Sequence, residues 1–193
     1  MNPLVAAEKA GRAIGAMLFA FFGAVWLVWW SLEFFGVAPA VLAAIGVGAV
    51  AIFLLALRQL LTYRWALAKV ADNPETKRGR KIFNWVNGGQ WVAVFIAVTV
   101  LVNTGHPEWI RVAIIFIVGA HFLPLGAAFH HRWHYITGGS LIALALVYPF
   151  VTPAGPLNPV GLLGTGAILW FSALMSVVPG IQGARASSPS QAL

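Results

Sequence analysis

The side chains with the most chemistry in this chain are its five histidines, and four of them lie close together in sequence. His121 stands alone inside the apolar run 110–129, three residues before Pro124. His130, His131 and His134 crowd the end of that run in the segment His130-His131-Arg132-Trp133-His134. A polar ring held in hydrocarbon costs free energy unless it binds, pairs or carries a proton, so His121 is the leading candidate for a ligand- or proton-handling site. Pro124 has no N–H, so the carbonyl of Ala120, beside His121, loses its helical donor and is left as an acceptor at the same level. The competing reading is an interhelical hydrogen bond from His121, for instance to Gln90, that only ties two helices together.

His130 and His134 are four apart and share one face of a continuing helix, a spacing that can grip a metal ion. The pair lacks the glutamate of a metalloprotease motif and has no third ligand nearby, so no metal site is expected, and these two are the candidates if one exists. His121 cannot join His130 on one ion, because nine helical residues separate them by about 13 Å and half a turn. Set against the metal reading is an interfacial loop whose Arg, Trp and His rings sit at headgroup level.

Other polar side chains fall at the depth of His121. Asn84, Asn87 and Gln90 follow one another at three-residue steps near the start of the run 83–102, and Ser172 and Ser176 lie in the run 160–178. Counting helical rise places His121 roughly 16 Å from the outer end of its run, Gln90 roughly 10 Å from the inner end, and Ser172 roughly 18 Å from the outer. These levels coincide slightly to one side of the midplane, so His121, Gln90, Asn87, Ser172 and the Ala120 carbonyl are the expected lining of a polar pocket.

Several chemistries lack their parts. The chain has no cysteine, which removes disulfides, thiolate metal sites and cysteine nucleophiles. A bis-histidine haem needs two deep histidines on facing helices, and a di-iron desaturase site needs more than five. A serine nucleophile would need an oriented base, and no run contains an Asp to orient one. Motifs for phosphate cradling and dinucleotide binding are missing. No cofactor is expected, and the reading leans away from an enzyme.

The elements that must position these groups follow from composition. Of 193 residues, 60% are apolar and 9% charged, with 9 Trp and 13 Phe; mean hydropathy is +0.85. Soluble domains carry about 45–50% apolar and about 25% charged residues. Six apolar runs, 13–35, 37–57, 83–102, 110–129, 135–151 and 160–178, are each long enough to cross a hydrocarbon layer about 30 Å thick as a helix. Strands are excluded, because the runs lack the two-residue alternation of a barrel. The expected fold is all-α, a polytopic membrane protein with a bundle of six transmembrane helices in one domain, 1–179, followed by a disordered cytoplasmic tail, 180–193.

Charge sets the expected orientation. The 12 Lys and Arg residues outnumber 5 acidic ones, and with six spans and an inward N-terminus eleven of the basic residues lie inside, leaving Arg111 alone outside. The predicted topology is therefore N-in/C-in in the cell's inner (plasma) membrane, with a cytoplasmic basic loop at 58–82. That loop keeps a helical pattern through Leu60, Leu61, Tyr63, Trp65 and Leu67 until Asp72-Asn73-Pro74 interrupts it. Expected partners are membrane lipids, with anionic headgroups at the 58–81 loop, and a second copy or partner membrane subunit. Nucleic acid is not expected, since these are the charges that any inner-membrane loop carries. At the outer face Glu33 and Arg111 are placed to pair, beneath a belt of Trp26, Trp29, Trp30 and Trp109.

Three functions fit these features. The first is a small transport-type or solute- or lipid-binding bundle with the midplane pocket as its site. The second is a membrane-embedded histidine-dependent enzyme acting on a lipid at the cytoplasmic interface. The third is a structural or accessory subunit without chemistry.

Overall fold

A computed structural model describes residues 1–129 and 131–178, so His130 and the expected tail at 180–193 lie outside the described residues. Seven α-helices appear among them: α1 (Pro3–Phe35), α2 (Pro39–Tyr63), α3 (Trp65–Lys69), α4 (Pro74–Asn103), α5 (Ile110–Phe129), α6 (Arg132–Val151) and α7 (Val160–Val177). All but the short α3 are long and apolar enough to cross a membrane, which is compatible with an integral membrane protein. Short 3₁₀ turns at Pro107–Trp109 and Gly155–Leu157 link α4 to α5 and α6 to α7.

The helix starts repeat one device. Asn2 precedes Pro3 and its side chain accepts from the Leu4 N–H, Asn73 precedes Pro74 and accepts from Glu75, and Asn158 precedes Pro159 and accepts from Val160, each at 2.9 Å. The amide oxygen satisfies an otherwise orphaned N–H while proline presets the first helical φ, so the Asn-Pro pair that ends one element also begins the next. At the other end of α1, Gly36 adopts φ 68° and returns its N–H to the Leu32 carbonyl, a termination that a side chain at Cβ would strain.

Neighbouring helices follow the spatial order α2, α1, α7, α6, α5, α4. The main core lies where α1, α5, α6 and α7 meet, with Trp26, Ile115, Phe122, Leu141, Tyr148, Leu162 and Leu169 in contact. Small residues make these approaches possible. On α1 a buried stripe of Ala6, Ala10, Ala13, Ala16, Ala20 and Gly23 faces its neighbours, and the Trp170 indole of α7 crosses it to donate to the Ala20 carbonyl at 3.0 Å. Between α5 and α6 the contact is backbone to backbone: a Cβ on Gly119 would come within 2.9 Å of the Gly138 carbonyl oxygen, and one on Gly138 within 2.7 Å of the Gly119 oxygen. Where lipid tails are as apolar as side chains, such close approach supplies the dispersion contacts that hold helices together.

The two ends differ. At one, α3 folds back on the start of α1 through Ala6, Ala7, Ala66 and Val70. Gln59 there donates to the Lys9 carbonyl at 2.9 Å, and the Lys9 ammonium lies 5.1 Å from the centre of the Tyr63 ring. This is the basic end. At the opposite end Arg111 grips Glu33 with two hydrogen bonds, 2.7 and 2.5 Å, donates to the Leu157 carbonyl at 3.1 Å, and lies over the Trp29 ring. The Trp29 indole also donates to Glu33, at 2.7 Å. The pairing expected from sequence is thus present, and it joins α1, α5 and the turn at Gly155–Leu157.

Candidate functional site

His121 projects from α5 two residues past Gly119, where α5 lies closest to α6. Its Nδ1 stands 2.6 Å from the Val118 carbonyl. A carbonyl oxygen only accepts, so Nδ1 carries a hydrogen and donates it, which leaves Nε2 as the ring position not engaged by this bond. Pro124 lies inside α5, which runs on unbroken to Phe129. The Ala120 carbonyl therefore has no N–H four residues on to satisfy it.

The neighbours of His121 are other rings. Phe122 lies 4.0 Å from it, centre to centre. On the far side Phe122 stacks with His134 of α6, 6.0 Å away at an interplanar angle of 9°. His134 in turn meets His131 at 5.1 Å and Phe129 at 6.3 Å, and Phe19 of α1 closes the group edge-on against Phe122 at 5.3 Å. Three histidines from α5, α6 and the segment joining them thus form one row running toward the basic end. The histidine nine residues from His121 could not have reached it along a single helix; His134 comes to share the Phe122 ring with it because α6 turns back antiparallel.

Arg12 of α1 stands at the foot of the row. Its side chain is 17% exposed, and its guanidinium reaches Glu8 one turn earlier at 3.6 Å. The Arg12 Nε and the His131 Nδ1 are both buried and lack a hydrogen-bond partner among the described residues. His131 lies between α5 and α6 and is held below its ordinary value of 6.5, by burial first and then by the positive charges of Arg12 and Arg132. Unpaired polar atoms beside a row of imidazoles are positions where a proton, a water or a small polar ligand finds partners.

The remaining expected residues are distributed differently. Ser172 on α7 is buried and pairs with Thr137 on α6 at 2.7 Å. Each hydroxyl also lies within reach of its own helix, Ser172 of the Ile168 carbonyl at 2.8 Å and Thr137 of the Trp133 carbonyl at 2.9 Å. Each has one hydrogen, so one hydroxyl donates across the interface while the other donates to its backbone. Ser176 donates to the Ser172 carbonyl at 2.8 Å. Gln90 is half-buried on the stripe of α4 that includes Gly79, Ile82 and Val86, and Asn87 is exposed; neither makes a hydrogen bond among the described residues. The structure therefore sets His121 and His134 against the same Phe122 ring, pairs Ser172 with Thr137, and draws neither Gln90 nor Asn87 into a hydrogen-bonded group. Among the described residues no three His, Cys, Asp or Glu side chains are placed to hold a metal ion, and the candidate His130 lies outside them.

Sequence reasoning missed Phe122, Thr137 and Arg12. Thr137 follows His134 by three residues and so shares its face of α6, a spacing that could have flagged it. Arg12 carried no local signal beyond its charge. No protein-family model, no curated protein and no solved structure matches this chain.

Proposed function

We propose that the chain is a small transport-type or solute-binding integral membrane protein of the inner (plasma) membrane, in one domain of six spans with both termini cytoplasmic, and that it handles protons through its histidine row. The topology follows from the charge asymmetry, with the basic end in the cytosol and Arg111 outside. The observation that carries the functional reading is the convergence of His121, His134 and His131. His121, its Nδ1 tied to the Val118 carbonyl at mid-depth, leads past the Phe122 ring to two more imidazoles and an unpaired nitrogen toward the basic end. An imidazole takes up and gives off a proton at a free ring nitrogen, which for His121 is Nε2, so successive rings bridged by water suit stepwise transfer. The Ala120 carbonyl on α5 and the Thr137–Ser172 pair between α6 and α7 offer further polar groups in the bundle.

Proton flux into proteoliposomes loaded with a pH-sensitive dye tests this. Wild-type vesicles are expected to relax an imposed pH gradient faster than protein-free ones. His121→Gln and His134→Gln should each slow that relaxation on the order of ten-fold or more, the scale of losing one positioned proton-transfer group. Wild-type flux equal to that of empty vesicles, or variants as fast as wild type, would leave an accessory subunit as the better reading.

A further inference from the structure

The histidine row makes no use of the exposed face of α4. No residue of its most apolar stretch is buried, and Trp85, Val92 and Ile96 are 74%, 58% and 54% exposed. A groove of about 630 Å³ runs along this face over Gly88, Gly89, Val92 and Ile96. The glycines form its floor, since a Cβ on either would meet nothing within 4 Å. Toward the basic end the groove adjoins a recess of about 300 Å³ bounded by Lys77, Arg80 and Lys81. Asn84 and Trp85 line both spaces, so the two adjoin.

We infer that this face of α4 binds one anionic phospholipid, its phosphate held by Arg80, Lys81 and Lys77 and one acyl chain lying over Gly88 and Gly89 toward Ile96. Residues 77, 81, 84, 88, 92 and 96 succeed one another at three- and four-residue steps, so cationic mouth and apolar floor share one side of the helix. From Asn84 to Ile96 the helix rises roughly 18 Å, close to half of the ~30 Å hydrocarbon thickness and hence to the depth of one leaflet. Arg80 and Lys81 have no acidic partner among the described residues, and Lys77 shares its ammonium with the exposed Asp72 at 2.9 Å. Arg80 offers the forked geometry that matches a phosphate, Asn84 a neutral donor just below it, and Trp85 an interfacial ring.

Charge also decides against a second copy as the occupant. Two copies in one membrane share one orientation, so a symmetric contact through this face would set both Lys77, Arg80 and Lys81 clusters against each other. An anionic headgroup neutralises the cluster instead. This inference stands apart from the histidine row and would survive its failure.

The test is native mass spectrometry of the full-length protein released from detergent containing equimolar phosphatidylglycerol and phosphatidylcholine. Wild type should retain phosphatidylglycerol preferentially. Arg80→Gln/Lys81→Gln should weaken that retention roughly ten- to thirty-fold, as expected for two cations near an anionic headgroup. Gly88→Leu/Gly89→Leu, which fills the groove and leaves every charge in place, should weaken it as well while phosphatidylcholine adducts stay unchanged. Equal retention of the two lipids by wild type would overturn the proposal. So would undiminished phosphatidylglycerol binding in the groove-filled variant, or a dimer that this variant alone disrupts. Unfolding temperatures of both variants, whose changes lie on an exposed face, should match wild type.

Discussion

Glu33 on α1 and Arg111 on α5, separated by 78 positions in sequence, are joined by two hydrogen bonds of 2.7 and 2.5 Å. The pair is only partly exposed and each member has a second partner, Trp29 for Glu33 and the Leu157 carbonyl for Arg111. It is therefore a clasp across the end of the helices opposite the basic one.

Breaking the clasp should cost stability without touching the histidine row. Glu33→Gln and Arg111→Met are each expected to destabilise the protein in detergent by about 1.5–3 kcal/mol, the range for hydrogen bonds to charged groups. The double variant should lose less than the sum of the two, because each single change already removes the shared interaction. Thermal unfolding followed by tryptophan fluorescence measures all three.

The α5–α6 contact makes a prediction about size alone. Gly138→Ala pushes a methyl group toward the Gly119 carbonyl, 2.7 Å from the new Cβ, where backbone rather than a flexible side chain must yield. A loss of about 1–3 kcal/mol is expected, as for other overpacked contacts. Gly139→Ala, one residue on, meets nothing within 4 Å and should lose no stability. Equal effects from the two substitutions would show that close approach at Gly138 is not what holds α5 to α6.

Thr137 and Ser172 are a smaller clasp. Thr137→Val leaves Ser172 its own backbone acceptor, the Ile168 carbonyl, and Ser172→Ala leaves Thr137 the Trp133 carbonyl. Each substitution should therefore cost only about 0.6 kcal/mol, typical of hydrogen bonds between helices in lipid. A far larger loss would mean that the pair anchors a more extensive network. The same unfolding assay reads it.

His131 gives the pH dependence a definite sign. Its folded value lies below 6.5 because of burial first and then Arg12 and Arg132, while the ring of His134 packs beside it. The unfolded chain then takes up a proton at a pH where the folded one does not. Stability from this group is complete above about 6.5 and declines as pH falls below that value toward the folded one. In a series of unfolding temperatures against pH, His131→Gln should show a shallower decline than wild type over that window. Parallel curves would remove His131 from the account.

How much of this was legible beforehand depends on direction. Along the helix axis the sequence is informative: each uninterrupted apolar run became a helix, and counting rise put His121 well inside its own. Around the axis it is nearly silent. Gln90 and Asn87 are only three residues apart, yet one lies on the half-buried stripe of α4 and the other on its exposed side. Ser172 meets Thr137 because α7 borders α6, and nothing in either helix alone states that neighbourhood. The histidine row was hidden for the same reason, since the link from His121 to His134 runs through Phe122 and across two antiparallel helices. Glu33 and Arg111 were easier, being opposite charges at the same end of two spans with few competitors.

Six membrane crossings with the basic end in the cytosol are directly measurable, because the chain has no cysteine and any introduced thiol is the only one. His106→Cys and Arg78→Cys, both at exposed positions, can be treated in intact cells with a membrane-impermeant maleimide. With the basic end in the cytosol, His106→Cys is labelled at once and Arg78→Cys only after the membrane is permeabilised. Labelling of Arg78→Cys from outside, or equal labelling of both before permeabilisation, would contradict this topology.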